Sequence, residues 1–321
     1  MINNSAFEIA EKLKKANSIA VFCHARPDGD ALGAGLALCL AFHNAGKSAV
    51  MCCEDLPPEK FAFLPAMKLV RRGLPTKTEY DTFISVDCAD VSRMSIFADA
   101  YSKFAGTTIN IDHHVSNSGY GKLNYVIDCP ATCEVLTDLF SLAGFEITKD
   151  IADLLLLGLI TDSGNFTHLD VGENTFKTAA KLRAAGGDVN LINYMMFSRQ
   201  PKQRAVLYGR VMNKIRFALD DRLTFIVTTL DDMAETGADK SLTEGFVDFP
   251  LTVDGVEVSI SLLEVKKNHY KVSFRSKGKV NVNAVAATFG GGGHVLASGC
   301  VLGGEFEEVI EKLTYAVQQN L

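Results

Sequence analysis

The sequence predicts an α/β fold in two parts: a parallel sheet with helices on both faces, then a smaller mixed-sheet α/β domain. Three observations carry that prediction. The chain has 321 residues, too many for one ordinary hydrophobic core. Its first part repeats an apolar strand, a polar loop and a helix, the unit from which open parallel sheets are built. Beyond residue 213 the pattern changes to short strands of a second, mixed sheet. The expected division is residues 1–189 for the first domain, 190–213 for a connector and 214–321 for the second.

Ser5-Ala6-Phe7-Glu8 is a capping box that opens a first helix, which Asn17 stops. Residues 18–23 read as a buried strand and 31–45 as a helix, with Leu32, Leu36 and Leu40 at four-residue steps and Gly46 as its stop. Strands follow at 49–53 and 82–86, separated by a less regular stretch through Pro57, Pro58, Pro65 and Pro75. Ile109-Asn110-Ile111-Asp112 is another strand and 124–128 the next, and 132–143 is a helix closed by Gly144. Residues 151–160 are apolar all round except for Asp153, as expected of a helix buried beneath other layers. A helix over 175–185 ends at Gly186-Gly187. The connector is expected to be partly helical, with its basic run Arg199 to Arg204 a solvated face or a hinge over a phosphate site. In the second part, strands are expected at 215–218, 223–228, 256–264 and 270–275, and helices at 231–236, 282–289 and 305–318.

Composition narrows the function classes. Hydrophobic residues at 47% and charged residues at 22% give the balance of a soluble globular protein. A formal charge of -6 argues against a broad grip on long nucleic acid, which needs a basic surface, but allows a local basic pocket. No apolar run approaches the roughly 18 residues of a spanning helix, and the N-terminus lacks a basic region followed by an apolar core. The expected location is the cytoplasm, with no membrane part. The eight cysteines are scattered through apolar segments without a Cys-x-x-Cys pair, and are expected as free, mostly buried thiols.

Strand after strand in the first part ends in groups that bind cations. The turn after the first carries His24, Asp28 and Asp30; the strand at 82–86 delivers Asp87, with Arg93 a turn later; and the strand at 109–112 ends in Asp112, His113 and His114. The buried helix at 151–160 delivers Asp162. Crowded carboxylates and imidazoles at strand ends are costly unless a cation neutralises them, and ligands of open parallel sheets bind at those ends. A helix N-cap accounts for Asp30 and leaves His24 and Asp28 needing another explanation. In the second part, Gly290-Gly291-Gly292-Gly293-His294 is read as a loop whose amides approach a phosphate or base and aim His294 at it.

With these residues in place, the chain resembles the DHH phosphoesterase superfamily, and within it the bifunctional oligoribonuclease and 3',5'-bisphosphate nucleotide (pAp) phosphatase branch. His24-x-x-x-Asp28-x-Asp30-Ala31-Leu32-Gly33 looks like its first motif, Asp87 its second, Asp112-His113-His114 its third and Asp162 its fourth. Phe274-Arg275-Ser276 and Gly291-Gly292-Gly293-His294 look like the associated DHHA1 substrate domain. The resemblance implies that His24, Asp28 and Asp87 hold one metal ion and Asp30, Asp87, His113 and Asp162 another, with Asp87 bridging. Mixed carboxylate and imidazole ligation suits Mn2+ first, with Mg2+ allowed. It implies hydrolysis of short oligoribonucleotides to mononucleotides, and of pAp to AMP, by a hydroxide that two metals activate. His114 would hydrogen-bond a phosphoryl or leaving oxygen and Asp112 would orient a neighbour. Arg93, Arg275, Ser276, Gly291, Gly292, Gly293 and His294 would bind substrate, in a cleft that favours short substrates and not long nucleic acid. The alternatives are a cyclic or linear dinucleotide phosphodiesterase, a pyrophosphatase or exopolyphosphatase on the same metal site, and a nucleotide-binding regulator without activity. A homodimer is allowed.

Overall fold

The computed structural model describes residues 3–73 and 80–321, so Pro75 and the first two residues lie outside the described part. The chain divides into two compact units, Met1–Arg199 and Gln200–Leu321.

In the first unit, β1 (Ser18–Phe22), β2 (Ser48–Cys52), β3 (Val70–Arg71), β4 (Thr82–Val86), β5 (Thr107–Asp112) and β6 (Leu123–Val126) form a sheet in the order β3-β2-β1-β4-β5-β6. Every pairing in it is parallel. The short edge strand β3 has no expectation behind it, because two residues carry no periodicity. The helices are α1 (Ala6–Lys15), α2 (Gly29–Asn44), α3 (Ala98–Ser102), α4 (Thr132–Ala143), α5 (Lys149–Asp162), α6 (Glu173–Ala184) and α7 (Val189–Asn193). Ile19, Val21, Ile84, Val86, Ile109 and Ile111 join one core with residues of α2, α4 and α5. The alternate residues Ala20, Phe22 and Phe83 join Met94, Phe97 and Tyr101 in a second core. Burial on both faces explains why these strands read as unbroken apolar runs.

The approach of α2 to α5 sets the depth of the site above the sheet. A Cβ on Gly33 would run into the carbonyl of Leu154, and one on Gly158 into the carboxylate of Asp30. The two glycines let the helices touch backbone to backbone, which brings the end of α5 down beside the start of α2.

In the second unit, α8 (Lys202–Met212) precedes β7 (Arg216–Ala218) and β8 (Leu223–Thr228), and α9 (Leu230–Thr236) follows them. The remaining elements are β9 (Val258–Lys266), β10 (His269–Ser276), α10 (Val282–Ala287), β11 (Gly292–Gly293), β12 (Ala297–Gly303) and α11 (Phe306–Gln318). The sheet order is β11-β12-β10-β9-β8-β7, with β8 and β9 parallel and the other pairs antiparallel. Ile260, Leu262, Val272 and Phe274 pack with Val285, Leu313 and Val317 of α10 and α11. Ile226 meets Leu207 and Val211 of α8, together with Phe246.

Two features depart from the sequence expectation. The guanidinium of Arg204 lies 4.8 Å over the Phe246 ring and donates to the carbonyls of Leu242 and Glu244, so this part of the basic run anchors α8 instead of facing solvent alone. The glycine run is not an open loop: Gly292 and Gly293 form β11, paired with Gly299 and Ser298 of β12. Gly, Ala and Ser give β12 little strand propensity of its own, and its register comes from seven residue pairs with β10.

Candidate metal centre

The strand order reverses between β1 and β4, and the carboxyl ends of those strands flank the crevice where ligands of open α/β sheets bind. His24 lies two residues beyond β1, Asp87 directly follows β4, Asp112 ends β5, and His113 and His114 come next. Asp28 and Asp30 lie at the start of α2 and Asp162 at the end of α5.

Ligand-capable atoms of His24, Asp28 and Asp87 lie within 4.8 Å of one another, and so do those of Asp30, Asp87, His113 and Asp162. Asp87 belongs to both sets through different oxygens. Its Oδ2 is 3.5 Å from His24 Nε2, and its Oδ1 is 3.4 Å from His113 Nε2. His24 Nε2 is also 3.5 Å from Asp28 Oδ2, and His113 Nε2 is 3.5 Å from Asp162 Oδ2. Asp87 is buried and adopts a φ of 51°, a left-handed conformation uncommon outside glycine and typical of strained functional positions.

The histidine tautomers test whether these residues fit a cation. His24 Nδ1 is 2.9 Å from the carbonyl of Ala25, and His113 Nδ1 is 2.9 Å from that of Cys129. A carbonyl only accepts, so Nδ1 carries the proton in each ring and a neutral ring turns the Nε2 lone pair toward carboxylates. His113 Nε2 is buried without a hydrogen-bond partner. Lone pairs facing lone pairs at 3.4–3.5 Å suit a shared divalent ion. Without one, protons take its place. Burial opposes charging His24 and His113, yet the carboxylates that face them, Asp28 and Asp87 for the first and Asp87 for the second, raise both to about 10. Burial and the charge of Asp87 push Asp30 up to about 7. Burial, then Asp30, Asp87 and Asp28, push Asp162 to about 9. Burial would raise Asp87 too, but the imidazoles of His113 and His24 that face it hold it well below the usual carboxylate range.

The capping assignment is corrected here. Asp28, not Asp30, caps α2: its Oδ1 accepts from the amides of Asp30 and Ala31, each at 3.1 Å. Asp30 is fully buried and accepts from the amides of Thr132 at 2.6 Å and Cys133 at 3.0 Å, at the start of α4. The helix N-terminus offers amide donors and positive dipole charge, and helps retain a carboxylate that burial penalises.

Asp112 is fully buried and belongs to a third cluster, in which ligand-capable atoms of Asp87, Asp112, His113 and His114 lie within 4.8 Å of one another. Its Oδ1 meets His114 Nδ1 at 2.8 Å, and its Oδ2 accepts from Asn117 Nδ2 at 2.5 Å. Asn117 also donates to the Cys88 carbonyl at 3.2 Å and accepts from Asn110 at 2.8 Å. This asparagine ties the residue after Asp87 to the Asp112–His114 pair, a role that sequence reading did not give it. The signal available was its place three residues beyond a crowded strand end. Arg93 is exposed, and its backbone carbonyl accepts from Ala25 at 2.7 Å, next to His24.

The other expected substrate residues form a separate group in the second unit. Arg275 Nε is 3.0 Å from Asp248 Oδ1, and Arg275 pairs with Ala297 across the sheet. His294 is exposed at the tip of the β11–β12 hairpin, its amide bonded to the Ala297 carbonyl. The hydroxyl of Ser276 is buried and accepts from the Gly278 amide. Gly291 and Gly293 lie so close to β12 that a Cβ on either would strike its backbone, whereas Gly292 is exposed.

A doubly wound sheet with carboxylates and imidazoles converging on one shared aspartate defines the class of a metal-dependent hydrolase. Residues 18–159 match the DHH family N-terminal domain and residues 222–321 the DHHA1 domain. The chain is 32% identical over 317 residues to the bifunctional oligoribonuclease and PAP phosphatase of Thermus thermophilus, covering 98% of this chain and 93% of that one. It is 24% identical over 300 residues to the protein so described in Bacillus subtilis, covering 91% of each. The crystal structure of an exopolyphosphatase-related protein from Bacteroides fragilis matches with a TM-score of 0.84 at 25% identity, over 98% of this chain and 96% of that one. The chain belongs to the DHH family and is a metal-dependent phosphoesterase, a hydrolase acting on phosphoester bonds. Among the described residues, no helix is long and apolar enough to cross a membrane.

Proposed function

We propose that this phosphoesterase hydrolyses short oligoribonucleotides to mononucleotides and pAp to AMP, using two divalent cations, Mn2+ in first place and Mg2+ as the alternative. The observation that carries the reading is Asp87, whose two oxygens face two separate carboxylate and imidazole sets. His24, Asp28 and Asp87 would hold one ion, and Asp30, Asp87, His113 and Asp162 the other. When bound, such a pair supplies an activated water and screens phosphoryl charge. The names of the Thermus and Bacillus relatives support the substrate class.

The chain's own residues then divide the work. Asp112 accepts from His114 Nδ1 and so fixes the ring, whose free Nε2 donates to a phosphoryl or leaving oxygen when protonated. Arg93, Arg275, Gly292 and His294 bind the rest of the substrate, and Arg275 keeps guanidinium donors for a phosphate beyond the edge that Asp248 holds. Ser276, Gly291 and Gly293 support that surface from beneath. Eight unpaired thiols, seven of them buried, fit the reducing cytoplasm.

The test is hydrolysis of a 5'-phosphorylated RNA dinucleotide, of pAp and of inorganic pyrophosphate, each with Mn2+, with Mg2+ and with chelator. Metal-dependent release of mononucleotides and AMP is the expected result. Cleavage of pyrophosphate alone would keep the metal centre and overturn the nucleotide assignment.

A further inference from the structure

The backbone that carries the shared aspartate is pinned from both sides, and one of the pins is a side chain outside the metal centre. Asp87 leaves β4 in the left-handed region, with a φ of 51°. A residue other than glycine keeps that conformation only where its surroundings over-determine it. On one side the Asp87 amide donates to the Ile111 carbonyl at 3.2 Å, which continues the pairing of β4 with β5. On the other side the carbonyl of the next residue, Cys88, accepts from the Tyr120 hydroxyl at 2.7 Å and from Asn117 Nδ2 at 3.2 Å. Both lone pairs of that carbonyl are filled.

The donors come from one stretch, the loop after β5, which turns back across residues 88–90. The Ser118 amide donates to the Ala89 carbonyl at 3.2 Å, and the Ser118 hydroxyl to Asp90 Oδ2 at 3.3 Å. Tyr120 is the rigid member of this loop. Its ring packs edge-on against Tyr101, 5.7 Å between centroids, in the core that holds Phe22 and Phe83. Packing fixes the ring and so fixes where the hydroxyl points. Asn117 divides its donors between Cys88 and Asp112, and its bond to Cys88 is the longer of the two that the carbonyl accepts. Tyr120 is therefore the main tie on Cys88. Tyr101 offers a comparison within the same core: its hydroxyl donates to the Ile109 carbonyl at 3.0 Å and lies 3.2 Å from Ser85 Oγ, both inside strands and away from the turn at Asp87.

We propose that Tyr120 is a positioning residue for the bridging carboxylate. Through the Cys88 carbonyl its hydroxyl holds Asp87 left-handed, with one carboxylate oxygen facing His24 and the other facing His113. The inference rests on the two-cation reading of this centre. It adds that the aim of Asp87 is set before any ion arrives, by a residue that belongs to neither ligand set. Without the hydroxyl the turn relaxes in the cation-free protein, and cation binding has to restore it. Affinity for both ions then falls with the fraction of the protein that keeps the competent turn.

The experiment is calorimetric titration of the chelator-stripped protein with Mn2+, together with thermal midpoints in chelator, for wild type, Tyr120→Phe and Tyr101→Phe. Each variant deletes one hydroxyl from the same aromatic core, so the pair separates positioning from packing. Tyr120→Phe is expected to weaken both Mn2+ binding events by about fivefold, the scale of one neutral hydrogen bond. Raising Mn2+ to saturation should return its kcat for pAp to the wild-type value, with KM for pAp unchanged. Tyr101→Phe should lower the thermal midpoint and leave both Mn2+ affinities at their wild-type values. Unchanged Mn2+ affinities in Tyr120→Phe would overturn the assignment, and so would weakening of one event alone or equal weakening in Tyr101→Phe. A wild type that binds two Mn2+ ions with this dependence on Tyr120, yet hydrolyses neither pAp nor an RNA dinucleotide, would keep the positioning role and remove the substrate assignment.

Discussion

The two units put polar side chains to opposite uses. In the first, carboxylates and imidazoles are driven into one small volume where each has a like-charged or lone-pair neighbour, as at Asp87, Asp30 and Asp162. In the second, the polar groups are spread along a sheet face and a hairpin tip, where Lys271 and His294 are exposed. A crowded site is unstable without its cation, so removing any shared member is costly. A dispersed site loses contacts one at a time. Substitutions should therefore cost far more in the first unit than in the second.

The sharpest break is at the residue common to both sets. Asp87→Ala removes an oxygen from each and leaves His24 and His113 without their common partner. Activity should fall by at least the roughly 10²–10³-fold that loss of one preorganised electrostatic group costs. Calorimetric titration with Mn2+ should show both binding events weakened. Loss of only one event would mean that Asp87 does not bridge. Next in size is Asn117→Asp, which keeps shape but replaces donors to Asp112 and Cys88 with a second carboxylate. A loss of about 10–100-fold in kcat is expected, with Mn2+ affinity retained. Combined with His114→Ala, the same change should add little, because both act through one pair. Additive losses would place Asn117 outside that chain of contacts.

How much of this was legible in the sequence follows the same contrast. His24, Asp28, Asp87, His113 and Asp162 stood out because so many charged groups gather at the ends of apolar strands and a buried helix. What the sequence did not reveal was which acid does which task. Asp30 looked like the cap and Asp28 the surplus acid, and the structure reverses them because the donors to Asp30 come from Thr132 and Cys133, more than a hundred residues away. The strands of the first sheet were visible from their unbroken apolar runs, whereas β12 was not, because its pairing partner and not its own residues holds it extended.

The crowding also has a thermodynamic signature. In the cation-free protein His24 and His113 keep a proton to about 10, where the unfolded chain releases it near 6.5. Asp30 and Asp162 keep theirs to about 7 and about 9 against 3.8 in the unfolded chain. All four raise the number of protons bound by the folded state, so its stability falls as pH rises through this range; Asp87, held low, acts in the other sense only below about pH 4. A divalent ion replaces those protons, so the stabilisation it provides should grow with pH. Thermal midpoints measured with Mn2+ and with chelator from about pH 6.5 to about pH 8.5 should diverge. A gap that narrows with rising pH would mean that the ion binds elsewhere.

The smallest expected effects lie in the second unit, and there the contrast can be tested between adjacent residues. Arg275 lies on the more open face of β10 and Ser276 on its buried face, one step apart. Arg275→Ala removes a charged donor and should raise KM for pAp by about tenfold with kcat nearly unchanged, in line with a charge-assisted hydrogen bond of about 1.5 kcal/mol. Ser276→Ala removes an acceptor of the Gly278 amide and should cost about 1 kcal/mol of stability in denaturant unfolding while KM stays put. If Ser276→Ala raised KM as far as Arg275→Ala does, the pleat would no longer separate contact from support. The substrate would then have to reach the turn at Gly278, and the second unit would be as interdependent as the first.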